Sequence, residues 1–277
     1  MSLIKASAAR AFVKNARLPT PPARQRGRAA PLLELKDADA QALVVGSGLV
    51  VAAQDVPAQT RADLINCTLF AQLAASGSIA DSSDVTAWYG EYFKGLTALG
   101  WSQHDTEFKQ YKASGASLEA HKSIIKVLGL LLGPQVAAVT LVTQTLEALQ
   151  SMNENSPWIT LFDQQSVTTR TAKFQVATAQ YVDTDVLEIA LVAFDLKSKQ
   201  KLTQVLFFKF NNSSVAMKYA SGRATIFEAA LAQSREEVAA RLAAYRTEYV
   251  REVKFPPLGA TPPVRARSGR SQPLPRT

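Results

Sequence analysis

From Val127 to Leu146 the chain runs through twenty residues without a formal charge, VLGLLLGPQVAAVTLVTQTL. As one helix that run would be about 30 Å long, close to the thickness of a bilayer's hydrocarbon core. It lies within a longer helical pattern from Ser117 to Met152. Leu118, His121, Ile125, Leu128 and Leu132 recur at helical spacing, and Ile124, Leu130 and Leu131 widen the stripe. Gly133-Pro134 interrupts it, glycine suiting a helix end and proline the first turn of the next. The pattern predicts helices near 118–132 and 134–151, or one kinked helix. Gly129 and Gly133 also form a G-x-x-x-G pair. That spacing lets two helices approach closely in a bilayer, and equally permits tight packing on a sheet. One proline, two glutamines and three threonines dilute the run, which favours a buried helix pair. Ile124, Ile125, Leu128, Gly129, Leu132, Gly133, Val139 and Val142 are its candidate packing or membrane-facing positions.

Upstream, Leu32–Ala53 holds a valine-rich LVVGSGLVVAA, predicted as strand, turn and strand. Its Gly46-Ser47-Gly48 does not make a dinucleotide loop, because the third glycine of that fingerprint would fall at Val51. Pro57–Ala75 reads as a helix. A second begins at Asp84, with Val85, Trp88, Tyr89, Tyr92, Phe93, Leu96 and Leu99 as its apolar stripe. Trp101–Lys112 reads as an exposed polar strand.

Downstream the period changes. Trp158–Phe162 is a short apolar segment. Ser166–Tyr181, Val186–Leu196, Leu202–Phe210 and a run marked by Val215, Met217 and Tyr219 read as four strands joined by short polar turns. Such a series argues an antiparallel meander with one face on the helices. Ile226–Val250 reads as a closing helix, and Pro256-Pro257 ends the folded part.

The expected fold is α+β: an N-terminal helical half with a very apolar central helix pair, packed on a four-stranded antiparallel sheet and closed by a C-terminal helix. The expected organisation is a basic flexible arm at 1–30, one domain at 31–257, and a Pro/Arg-rich disordered tail at 258–277.

Charge changes the functional picture. The formal net charge is +8, but residues 1–30 hold seven basic residues and no acid, and residues 261–277 hold four more. Removing those eleven from the 31 basic residues leaves 20 against 23 acidic ones, so the body is near neutral at −3. This is not the clustered basic face of a sequence-specific nucleic-acid binder. The arms point instead to an acidic protein or an anionic surface, with Arg10, Lys14, Arg17, Arg24, Arg26, Arg28, Arg265, Arg267 and Arg270 as candidate contacts. Residues 1–18 lack the apolar core of a secretory signal, giving a cytoplasmic default, while their Arg-rich, acid-free composition also matches a mitochondrial import segment.

Candidate chemistry is sparse. One cysteine, Cys67, excludes an intrachain disulfide and a multi-thiolate zinc site. His104 and His121 have no metal-ligand spacing, and Asp183/Asp185, Asp81/Asp84 and Glu236/Glu237 sit where turns and helix surfaces favour acids. Cys67 sits mid-helix among apolar neighbours, as a buried thiol does. No cofactor, metal or catalytic set is expected, and an enzyme is the weaker reading. The leading expectation is a non-enzymatic interaction or assembly protein, with homo-oligomers admitted, whose basic arms hold an acidic partner. The alternative is a membrane-active effector or pore-former that releases 118–150 to lipid.

Overall fold

The structure, a computed structural model, describes residues 6–22, 35, 37, 39–103, 107–112, 117–133, 137–152, 156–184, 186–207 and 209–253. In chain order the elements are α1 (Ala6–Asn15), β1 (Gln41–Val45), β2 (Gly48–Ala52), α2 (Ala58–Ser78), α3 (Val85–Ala98), β3 (Ser102–Gln103), β4 (Lys109–Gln110) and β5 (Ser117–Glu119). There follow α4 (Ala120–Leu132), α5 (Ala137–Ser151), α6 (Pro157–Ser166), β6 (Val167–Thr168), β7 (Thr171–Asp183), β8 (Val186–Ser198), β9 (Lys209–Asn211), β10 (Val215–Phe227), α7 (Glu228–Leu242), α8 (Arg246–Tyr249) and β11 (Val250–Val253).

The α+β class holds, but the sheet is larger than expected. Nine strands join in the order β11-β1-β2-β7-β8-β10-β3, with β4 also on β10 and β6 on β7. All its pairs are antiparallel except β2 with β7, which run parallel. A parallel pair needs a crossover, and here the crossover is α2 through α6. The valine-rich strands β1 and β2 are buried at every position, as befits strands covered on both sides.

Both faces of the sheet are covered, where one was expected. Along β7 and β8, alternation sends Ala177, Ala179, Ile189 and Leu191 into one core with α2, α3 and residues of α1 and α7. It sends Phe174, Val176, Val192 and Phe194 into a second core with α4, α5 and α6. The molecule is thus three layers deep, with the apolar helix pair and the aromatic helix α3 on opposite sides. Trp88, Tyr89 and Tyr92 are core side chains. The Tyr89 hydroxyl lies 2.9 Å from the Phe174 carbonyl oxygen and 3.0 Å from that of Phe194.

Three predicted elements are corrected. Leu202–Phe210 is mostly loop, and only Lys209–Asn211 is a strand, paired with β5 in a separate two-stranded sheet. Leu202, Val205, Leu206 and Phe210 are buried, a spacing that does not alternate, and the Val205 N–H bonds Asp163 Oδ1 of α6 at 3.0 Å rather than a strand. The closing helix is likewise shorter. β10 continues to Phe227, α7 stops at Leu242, and the chain turns back into β11 beside β1. Trp158–Phe162 is the start of α6, where Ser156 caps the helix and Pro157 opens it. Trp101, expected on an exposed strand, is fully buried.

The first residues also differ from a free arm. Val13 of α1 is fully buried and Ala9 nearly so, and Phe12 meets Phe70 edge-on at 5.9 Å. Arg241 donates to the carbonyl oxygens of Lys14 (3.1 Å) and Ala16 (2.6 Å), and the Tyr245 hydroxyl to that of Pro19 (2.6 Å). Ala9, Phe12 and Val13, at helical spacing, dock this segment on the helices beneath it. Gly77 in α2 makes room for it: a Cβ there would lie 2.1 Å from the Arg17 carbonyl oxygen. Beneath, Arg235 of α7 grips buried Asp63 of α2 through bonds of 2.7–3.0 Å to both carboxylate oxygens, a bidentate geometry that fixes the two helices.

Candidate functional site

The charge-free run is split as its glycine and proline require. α4 ends where Gly133 adopts φ +96°, a left-handed conformation that glycine reaches without strain, and its N–H bonds the Gly129 carbonyl at 2.8 Å. α5 begins at Ala137, with Pro134 outside the described residues.

The inner face of this pair is core. Ile124, Val127 and Leu128 on α4, and Val139, Val142 and Leu146 on α5, are buried in the second core, with Ile125 and Leu132 packed at its edge. Two of the three threonines of α5 bond back to their own helix. Thr143 Oγ1 donates to the Val139 carbonyl at 2.8 Å, and fully buried Thr145 to that of Leu141 at 2.6 Å. Their hydroxyls therefore present no unmet bond to an apolar surrounding.

The far end of the pair is different. Leu130 is 74% exposed, and Leu131, Leu132 and Gly133 around it are half-buried. Among the described residues it is the large hydrophobic side chain left in water. A Cβ added at Gly129 would meet no atom within 4 Å, so this glycine is not there for close packing on the sheet. Gly129 therefore lies on an open side of α4. One guanidinium holds the tip: Arg223 of β10 donates from Nη1 to Glu188 Oε2 at 3.0 Å and from Nη2 to the Leu131 carbonyl at 3.4 Å.

The near end of α4 is held by the 202–207 loop. The His121 backbone N–H bonds the Leu206 carbonyl at 3.1 Å and its Nδ1 lies 3.2 Å from the same oxygen. Burial pushes the imidazole below its usual pKa, against the opposing pulls of the Leu206 carbonyl and Glu119. Glu119 sits below the usual carboxylate range, chiefly through its 2.8 Å hydrogen bond from Lys122 Nζ. Asp163, which holds the same loop from α6, is pushed by desolvation up to about 6.

The predicted basic contacts separate into two groups. Arg10 Nε is bound to Glu237 Oε1 and the Gln233 carbonyl, both at 3.0 Å. Lys14 and Arg17 have exposed side chains on and just after α1. Arg24, Arg26, Arg28, Arg265, Arg267 and Arg270 lie outside the described residues, as does His104.

Cys67 is buried, and desolvation, with Asp63 adding to it, pushes its thiol up to about 12. Lys173 is buried with its ammonium 5.0 Å above the Trp88 ring, and burial lowers its pKa. Its strand neighbour Asp195 is also buried, and desolvation raises it. Among the described residues no group of three His, Cys, Asp or Glu side chains could hold a metal ion, and no helix is long and apolar enough to cross a membrane. The exposed Leu130 was missed as a distinct feature. The sequence signal was there, in a fourth-residue row Lys122, Lys126, Leu130 that leaves the buried stripe.

No protein-family model matches the chain, and no curated protein matches it. Among solved structures it is similar to a delta-endotoxin, at 12% identity and TM-score 0.40 over 76% of this chain and 91% of that one. It is also similar to the Evf virulence factor, at 11% and 0.34 over 73% and 84%. A further likeness is to the activated Cyt2Ba monomer of Bacillus thuringiensis subsp. israelensis, at 12% and 0.28 over 45% and 72%. These likenesses are distant, and the functional reading rests on the chain's own side chains.

Proposed function

We propose that the chain is a membrane-active effector that meets lipid through the tip of the α4–α5 pair. The observation that carries the reading is Leu130, 74% exposed at the end of the most apolar helical region of the chain. Leaving a leucine in water forgoes about 1.5–2 kcal/mol of burial. A bilayer supplies that burial for Leu130 and for its half-buried neighbours Leu131 and Leu132.

Magnitudes order the events. Freeing 118–150 as a whole would strip Ile124, Leu128, Val139, Val142 and Leu146 from the second core. At about 2 kcal/mol each that is roughly 10 kcal/mol, comparable with the stability of a whole domain. Contact by the tip needs none of that loss. The first step is therefore docking of the folded chain, and any release of the pair follows once lipid offsets the lost core. α4 has 13 residues and α5 has 15, about 20 and 22 Å, so neither crosses a bilayer alone and the pair lies at shallow depth.

Vesicle co-sedimentation and dye leakage test this directly. The full chain is expected to bind and permeabilise vesicles, and Leu130→Ser to weaken both while keeping the thermal melt. Failure to bind or leak vesicles of any headgroup composition, at neutral and acidic pH, would overturn the reading. The acidic-partner alternative draws on Lys14, Arg17 and segments outside the described residues, and nothing in the described fold favours it over lipid.

A further inference from the structure

We infer that the outer ridge of α4, with Lys209 beside it, is a docking surface selective for anionic lipid headgroups. This rests on the membrane reading above and specifies its partner. Lys122, Lys126 and Leu130 stand at i, i+4 and i+8, and all three are exposed. Side chains at that spacing form one row along a helix. The row therefore presents two ammonium groups and then a leucine, over about 12 Å of helix axis.

The basic character extends past the start of α4. In the β5–β9 ladder Lys209 stands opposite Glu119, and its exposed ammonium continues the row. Glu119 is already answered within this group by Lys122 at 2.8 Å, so three lysines face one carboxylate. The neighbouring helix adds little, because α5 carries a single charge, Glu147. Beside the row, Lys126 Nζ sits 5.9 Å over the Tyr111 ring, which meets Tyr219 edge-on at 6.2 Å. Tyrosine rings of this kind suit a boundary that is apolar on one side and wet on the other.

The vertical order of the groups selects lipid over other polyanions. One helical turn, about 6 Å, separates Lys126 from Leu130, which matches the 5–10 Å depth to which interfacial helices bury their apolar side. A chain end tipped into a membrane would leave Lys122, Lys126 and Lys209 among headgroup phosphates and carry Leu130 below them. An acidic protein or a nucleic acid would satisfy the lysines and leave Leu130 without a function.

The test compares the full chain on vesicles of phosphatidylcholine alone and of phosphatidylcholine mixed with phosphatidylserine. Each lysine near an anionic surface strengthens binding about fivefold. The variant combining Lys122→Gln, Lys126→Gln and Lys209→Gln is therefore expected to lose roughly a hundredfold of its preference for the serine-containing vesicles. The matching Lys→Arg variant, which keeps charge, is expected to retain that preference, and this control separates charge from misfolding. Equal binding of the wild type to both vesicles would overturn the inference and leave the membrane reading standing, as would an undiminished preference in the glutamine variant. Binding to neither vesicle would remove the membrane reading itself. Ridge-dependent capture on polyglutamate or duplex DNA in place of vesicles would overturn the lipid assignment.

Discussion

Arg223 and Leu131 are joined across two layers of the fold: the guanidinium on β10 donates to the carbonyl of the last turn of α4 at 3.4 Å. Since a helix leaves its final carbonyls unpaired, an arginine there both bonds and complements the helix dipole. The same group is half-exposed and paired with Glu188, so its contribution to global stability is modest. Arg223→Ala is expected to cost about 0.5 kcal/mol by denaturant unfolding. Its local effect is larger. Hydrogen exchange in the last turn of α4 should quicken, and vesicle leakage should rise, because the tip is released from the sheet. Unchanged exchange in that turn would show that Arg223 does not hold it.

Acidity acts on the loop over α4 through two groups of opposite sign. Asp163 has its folded pKa raised from 3.8 to about 6. Its favourable contribution is therefore complete below 3.8 and is lost as pH rises through about 6. His121 has its folded pKa lowered from 6.5, so stability is lost as pH falls below that value. Asp163→Asn keeps an acceptor for the Val205 N–H and removes the buried charge. It is expected to stabilise the chain at neutral pH by about 2 kcal/mol. It should also steepen the loss of stability on mild acidification, because His121 then acts unopposed. A pH series of urea midpoints checks both signs.

Gly77 is the point where α2 and the segment after α1 touch. A methyl group there would be 2.1 Å from the Arg17 carbonyl, and that atom belongs to backbone. Gly77→Ala is expected to destabilise by about 1–3 kcal/mol, with residues 6–22 becoming a site of limited proteolysis. Resistance to protease equal to the parent's would mean that the chain can shift without undocking.

Cys67 supplies a probe of the first core. Held fully buried, with its thiol pushed up to about 12, it should resist alkylation in the folded chain and react in urea. Labelling that tracks the unfolding curve is expected. Rapid labelling in native buffer would place the thiol within reach of solvent.

Much of this architecture was legible from residue patterns alone. The helices α2 and α3 emerged from their stripes, though the cap of α3 is Asp84 itself, accepting from the Ala87 N–H, and not Asp81 or Ser83 as expected. The break at Gly133 emerged from backbone freedom, and β7, β8 and β10 from alternation. Leu202–Phe210 misled because its apolar residues satisfy any strand template, while Asp163, forty-two positions away, takes the Val205 N–H. The placement of β1 and β2 inside the sheet had no local signal, since a parallel pairing of Val50 with Ala177 is decided by the helices packed between them in sequence. For the candidate site, hydrophobicity pointed to the right segment. Which leucine stays outside depends on where the sheet lies, and no window of sequence contains that.

Both ends of the described chain close on each other. α1 docks on α7, and β1 takes β11 as its partner, with Ala42 opposite Val253. β1 must thus wait for a strand made about two hundred residues later before its edge is covered. Contacts of such sequence separation make folding slow, and they leave the apolar β1–β2 pair without its neighbour throughout. While the chain is being made, its aggregation hazard therefore sits at LVVGSGLVVAA, well away from the leucine tip.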